Sequence, residues 1–218
     1  MSPSLPAARP RPAAARPSLR GTEPGVGGET GAHDPHLAAL GLAPRDVAAL
    51  SRYLDLVADW NRRVNLTGAR TPAERVAILV APVAPLAPVL EAGRLLDVGS
   101  GNGSPGLVLA TLRPDLSVIL LEPRQRRWAF LREAARAVGR ADVDVRRLRH
   151  DGYEGPPVQT VSLRALALPL RALAPLVAPD GCVLIWGAPP ADDASFLAEP
   201  DPRPGVHIRR RRDVPRTT

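Results

Sequence analysis

Residues 95–106 read LLDVGSGNGSPG, with four glycines inside the eight-residue stretch 99–106. No regular element runs through such a density of glycine, so the chain must turn there. Leu95, Leu96 and Val98 ahead of it read as the end of a buried strand. Leu107, Val108, Leu109 and Ala110, after Pro105, read as the start of a helix. A glycine-rich turn from strand to helix directs bare backbone N–H groups and a helix N-terminus at a ligand. What must lie so close to this backbone is the question the rest of the sequence answers.

Strand-like segments follow at 94–98, 117–122, 143–148, 158–163 and 181–186, and helical stretches at 106–113, 124–138 and 166–177 fall between most of them. This alternation predicts an α/β fold, a doubly wound parallel sheet with helices on both faces. Ligands in such sheets bind outside the carboxyl ends of the strands, at the switch point where the glycine turn falls. Upstream, Val47, Leu50, Leu54, Val57 and Val64 lie on one helical face from Pro44 onward, and Gly68 closes that segment. Pro82, Pro85 and Pro88 then forbid a long helix through 76–90. Residues 1–33, rich in Pro, Ala, Arg and Gly and without periodicity, read as a disordered tail. The expected organisation is a tail over 1–33, a helical segment over 34–92 and a ligand-binding core over 93–218.

The chain's net charge is +7, and every basic residue is arginine. The tail holds only four Arg and two Glu, so most of that charge belongs to the folded part. Arg132, Arg136 and Arg140 fall at i, i+4 spacing and predict a basic stripe on one helix face. Arg209–Arg212 form a second cluster. The single cysteine, Cys182, sits in the apolar run CVLIW and reads as a buried, inert thiol in a reducing compartment. Trp60 and Trp128 read as core residues, and Trp186 can be read either way. No apolar run approaches the roughly 20 residues of a membrane span. Neither secretion nor a metal site is expected, since four scattered histidines and one cysteine have no ligand spacing.

Two ligands compete for the turn. Gly101, Gly103 and Gly106 fit G-x-G-x-x-G, with Glu122 about twenty residues on, the fingerprint of a dinucleotide. In that fingerprint, however, the first glycine follows the strand almost directly, whereas here Asp97, Val98, Gly99 and Ser100 intervene. An acid ending strand one, followed by Gly99, Gly101 and Gly103, resembles the first motif of S-adenosylmethionine-dependent methyltransferases. S-adenosylmethionine has no pyrophosphate to seat on a helix N-terminus. Its cationic amino-acid portion can be attracted by Asp97, and Glu122 at the end of strand two can accept both ribose hydroxyls.

Several stretches together narrow the resemblance: WNRRVNLTGAR at 60–70, the glycine turn with Pro105 one residue before its last glycine, the basic helix RQRRWAFLREA at 124–134, and SLRAL at 162–166. In this arrangement the chain resembles the RsmG (glucose-inhibited division protein B) family over about residues 44–190. The resemblance implies a Rossmann-like methyltransferase core with an N-terminal helical extension. It implies transfer of a methyl group from S-adenosyl-L-methionine to N7 of a guanine in small-subunit (16S) ribosomal RNA, by a cytoplasmic monomer that needs neither membrane nor metal. It places cofactor contacts at Gly99 and Ser104, at Arg149 and His150 after strand three, and at Arg164 after strand four, and the reading of the turn and of strand two adds Gly101 and Glu122. It names no catalytic residue, since N7 carries a free lone pair and needs no base. The chain departs from the family pattern in three places. ILVAPVAPLAP stands where a histidine-containing H-I-L-D-S helix is usual. Trp186 precedes Gly187 where lysine is common. GVHIRRRR supplies one possible strand, with no second after it. Two other readings remain: a methyltransferase of this fold acting on another substrate, and a non-catalytic RNA-binding relative.

Overall fold

The computed structural model describes residues 31–212. The tail expected over 1–33 therefore lies outside the described residues up to position 30. Its last three residues form a turn that leads into α1 (Asp34–Ala38), and His33 is 1% exposed. His33 accepts from Arg75 Nε at 2.9 Å and faces Asp55 at 2.9 Å, so order begins before residue 34.

An N-terminal helical layer comes first. Pro44 opens α2 (Pro44–Asn61) at a position that needs no N–H. Its Leu50, Tyr53, Leu54 and Val57 are buried along one face. The helix stops at Asn61, short of the expected Gly68. Asn61 Oδ1 accepts the N–H groups of Leu66 and Thr67, and Asn61 Nδ2 donates to Thr67 O, so one side chain folds the WNRRVNLT stretch into a compact loop. Thr71 and Glu74 form a capping box at α3 (Pro72–Arg75), which continues into a π-type turn over Val76–Val80. The prolines then allow only a short 3-10 stretch, Ala84–Val89.

By length and apolarity, Pro72–Val89 is one stretch that could span a membrane, against the expectation that none would. Its carbonyls are nevertheless bonded into the domain. Ile78 O accepts from Arg164, Leu79 O from Ser104, Ala81 O from Arg203, Pro82 O from Trp186 and Ala87 O from Arg113.

The core is one seven-stranded sheet in the order β3-β2-β1-β4-β5-β7-β6. β1 (Arg94–Val98), β2 (Ser117–Leu121), β3 (Asp144–Arg146), β4 (Val158–Arg164) and β5 (Val177–Trp186) run parallel. β1 and β2 read as continuous apolar runs because both of their faces are covered. α4 (Gly106–Leu112) and α5 (Gln125–Ala137) share one side of the sheet with the N-terminal layer, where Phe130 packs edge-on to Trp60. The other side is thinner. There Tyr153 and α6 (Leu170–Leu173) cover Leu96, Leu121 and Val161.

The helix expected over 166–177 shrinks to α6 and one 3-10 turn, Ala174–Leu176. Ala165 adopts φ 51, a left-handed conformation that no helix can continue, Pro169 precedes α6, and Pro175 lies within the 3-10 turn that ends the piece. Nor is the sheet wholly parallel. β7 (Val206–Arg211) pairs antiparallel with β5, and a three-residue strand, β6 (Phe196–Ala198), pairs antiparallel with β7. The second strand thus precedes the GVHIRRRR stretch.

Both expected basic features are altered. Arg140 lies beyond the end of α5 and is buried, donating to the carbonyls of Ala110 and Leu116 and pairing with Asp142. It belongs to no exposed stripe, whereas Arg132 and Arg136 are exposed, and Arg132 lies 4.8 Å over the Trp128 ring. The 209–212 cluster is built into the antiparallel end of the sheet. Arg209 is buried, Arg210 pairs with Glu199, Arg211 donates to Val177 O, and Arg212 to Phe196 O. Burial raises the pKa of the Cys182 thiol.

Candidate functional site

A cavity of about 540 Å³ opens at the carboxyl ends of β1, β2, β3 and β4. Gly99, Gly101, Ser104, Glu122, Arg149, His150 and Arg164, all expected cofactor contacts, lie on its wall. The structure thus brings all seven together, from four strand ends.

The turn itself differs from a phosphate cradle. Gly99, Gly101 and Gly103 take φ of 72, 51 and 95, conformations that glycine adopts without steric cost. Most of the expected bare N–H groups are engaged within the protein. Gly99 and Ser100 donate to Leu121 O, Gly103 to Ser100 O, Gly101 to Glu122 Oε2, and Ser104 to Asn102 Oδ1. The start of α4 is closed as well, because the backbone N–H of Gly106 faces the Asp97 carboxylate. A Cβ at Gly106 would sit 2.6 Å from Asp97 Cβ, which fixes glycine there. Among the described residues, only the Asn102 N–H of this turn is left without a partner, too few donors to cradle a pyrophosphate.

Asp97 is the main correction among the site residues. It is 1% exposed, does not line the cavity, and accepts from Ser162 Oγ at 2.6 Å. Its place is under the turn, where it cannot reach a cationic ligand directly. Burial pushes its pKa up to about 6, against the opposing hydrogen bonds.

Glu122 is 3% exposed, yet its carboxylate lies on the cavity wall. Its two oxygens accept from Gly101 N at 3.1 Å and Arg124 N at 2.8 Å. A carboxylate oxygen carries two lone pairs, so acceptor capacity remains for a ligand's hydroxyls. Arg149 and His150 stand at the far rim, where His150 opens a 3-10 turn after β3.

Ser104 and Arg164 join three segments. The Ser104 hydroxyl donates to Leu79 O at 2.7 Å and accepts from Arg164 Nη1 at 2.9 Å, while Arg164 Nη2 donates to Ile78 O at 2.7 Å. Burial lowers the Arg164 pKa.

The N-terminal layer completes the wall with Leu66, Ile78 and Leu79, and Asn102, Arg124 and Arg127 also face the cavity. Leu66, Ile78, Leu79 and Asn102 were not expected at the site, whereas Arg124 and Arg127 belong to the basic stretch read from the sequence. Tyr53, fully buried on α2, donates to Asn102 O at 2.8 Å, and Asn102 Nδ2 donates to Leu66 O at 3.0 Å. Arg127 donates to Asn65 O. The 60–70 stretch is therefore the outer support of the glycine turn. Among the described residues, no group of three or more His, Cys, Asp or Glu could hold a metal ion.

Comparison with known proteins adds to this geometry. The family model for GidB, rRNA small subunit methyltransferase G, matches residues 46–189. The ribosomal RNA small subunit methyltransferase G of Halorhodospira halophila is 40% identical over 146 residues, covering 64% of this chain and 69% of that protein. Its counterpart from Chromohalobacter salexigens is 36% identical over 188 residues, covering 84% of this chain and 89% of that protein. Among solved structures, TrmN from Thermus thermophilus superposes with a TM-score of 0.50 and 22% identity, over 71% of this chain and 53% of that one, a likeness of fold.

Proposed function

Since the chain belongs to the family of ribosomal RNA small subunit methyltransferases G, we propose that its cavity transfers a methyl group from S-adenosylmethionine to N7 of a guanine in 16S ribosomal RNA. The observation that carries this assignment is the closed turn. Apart from that of Asn102, its N–H groups are engaged within the protein, while a buried carboxylate, Glu122, faces the cavity. That favours a ligand bearing hydroxyls over one bearing a diphosphate. S-adenosylmethionine, when bound, supplies an activated sulfonium methyl.

The chain's residues have the simpler task of positioning. Glu122 accepts the ribose hydroxyls. Gly99 and Gly101 let the amino-acid portion pass close to the backbone, and Arg149 and His150 border the adenine. N7 needs no proton removed, so the rate depends on holding it in line with the methyl, about 3–3.5 Å away. Arg124 and Arg127 on the cavity wall add positive charge for the RNA backbone. We further propose that the protein acts as a monomer in the cytoplasm, where its RNA is found.

The test is methyl transfer in vitro to small-subunit RNA from a strain lacking the modification, with the product mapped by cleavage at N7-methylguanosine. One new cleavage site is expected. A folded protein that binds S-adenosylmethionine but methylates no RNA would refute the assignment.

A further inference from the structure

Two of the large apolar side chains that remain exposed, Ile78 at 42% and Leu166 at 38%, belong to the wall of this cavity. Single exposed apolar residues need no explanation. These two are each held in place. The Ile78 carbonyl is fixed by Arg164 Nη2 at 2.7 Å, within the π-type turn Val76–Val80. Such turns recur at functional sites. Leu166 follows Ala165, whose φ of 51 is a strained conformation for a residue with a Cβ. Leu166 also lies over the glycine turn, since a Cβ at Gly99 would fall 2.9 Å from its Cδ2.

Their end of the cavity is set by topology. Glu122, Arg149 and His150 come from the β2 and β3 ends, on one side of β1, whereas Leu166 follows β4 on the other. A cofactor whose ribose is held at Glu122 would extend along the turn toward β1 and β4, the end of the cavity that Ile78 and Leu166 line. Among the described residues no Phe, Tyr or Trp lines the cavity, and its one aromatic ring, that of His150, stands at the β3 end, away from Ile78 and Leu166.

We infer that Ile78 and Leu166 form an aliphatic clamp that takes the face of the target guanine and so sets the approach of N7, with Arg164 as the positioning residue that holds Ile78. The inference rests on the proposed guanine-N7 transfer. A flat purine face buries apolar area against two branched side chains, while the edge bearing N7 stays free to meet the methyl.

The test uses the full chain. Ile78→Ala and Leu166→Ala should each lower kcat/KM for RNA by about tenfold or more, the scale for losing apolar contact in a binding pocket. Melting temperature and the salt dependence of RNA binding should stay unchanged, and Ile78→Val and Leu166→Met should recover most of the rate. The chain has four isoleucines, and of these only Ile78 lines the cavity. In isoleucine-methyl NMR of the S-adenosylhomocysteine complex, guanosine monophosphate should shift the Ile78 signal and leave Ile119, Ile185 and Ile208 in place. Alanine variants as fast as an active wild type overturn the clamp, and so does an Ile78 signal that the nucleotide does not move. A wild type that methylates no RNA overturns the underlying reaction instead.

Discussion

The indole N–H of Trp186 donates to the carbonyl oxygen of Pro82 at 3.0 Å. Pro82 lies in the ILVAPVAPLAP stretch and Trp186 ends β5, so two of the departures from the resembled family pattern touch one another. A proline-broken segment leaves carbonyls that no helix can satisfy, and a buried tryptophan needs an acceptor. Each change supplies what the other lacks. Trp186 is 4% exposed and belongs to the core, which resolves its ambiguity in the sequence.

Trp186→Phe should therefore cost about 1–3 kcal/mol, the scale for leaving one buried acceptor unpaired. Denaturant unfolding measures it. Affinity for S-adenosylmethionine should stay the same, because Trp186 is not on the cavity wall. A loss of affinity with unchanged stability would contradict this placement.

Asp97 predicts a pH effect. Its pKa rises from the ordinary 3.8 to about 6 through burial. Between these values the folded state holds more protons than the unfolded state, so this contribution to stability falls as pH rises. Comparison with Asp97→Asn isolates it. Wild-type stability relative to the variant should drop by about 2–3 kcal/mol between about pH 4 and about pH 7. Parallel unfolding curves across that range would show that Asp97 titrates normally.

Two glycines of the turn should fail differently. At Gly106 a Cβ would meet Asp97 Cβ and Leu120 Cδ2, both at 2.6 Å, so Gly106→Ala should destabilise the fold by about 1–3 kcal/mol or more. At Gly101 the nearest such atom is 3.6 Å away. Gly101→Val should fold, with about 1–2 kcal/mol of left-handed strain, and lose cofactor binding. Melting and calorimetry on both proteins separate the outcomes, and a Gly101→Val protein that binds normally would displace the cofactor from this turn.

The arginines divide in a similar way. Arg140→Ala strands the Ala110 and Leu116 carbonyls and should cost about 2–4 kcal/mol. Arg132→Gln with Arg136→Gln should leave stability within about 0.5 kcal/mol. If those two touch RNA, the slope of log affinity against log salt falls by roughly 0.7 per lost contact on a single strand. An unchanged slope assigns the contacts to Arg124, Arg127 and their neighbours.

Much of the sheet was legible because β1, β2 and β4 are covered on both faces, and continuous apolar runs are hard to miss. β6 was not, since three residues give no periodicity. β7 was hidden by its arginines. RRRR looks like a solvated cluster until non-local partners such as Glu199 and Val177 O are known. The same holds for Arg140, whose i, i+4 spacing was real while the helix beneath it ended at Ala137. At the site, the polar positions were readable from motifs, whereas Leu66, Ile78 and Leu79 were not. Apolar residues in a proline-rich stretch carry no chemical signature, and only docking against the sheet turns them toward the cavity. Asn102, as the middle residue of Gly-Asn-Gly, offered the one overlooked polar signal.

Arg164 bridges residues 60 and 86 positions away in the chain, Ser104 and Ile78. Closing such loops costs entropy, and the sheet meets a similar cost where β1 pairs with β4, as at Leu95 and Thr160. The contacts of Arg164 differ in what they complete. They tie residues 78 and 104 to the end of β4 and so finish the cavity wall rather than the sheet. A variant that loses them can keep its secondary structure while its pocket is incomplete. Methyl transfer is therefore a stricter criterion of nativeness than secondary structure.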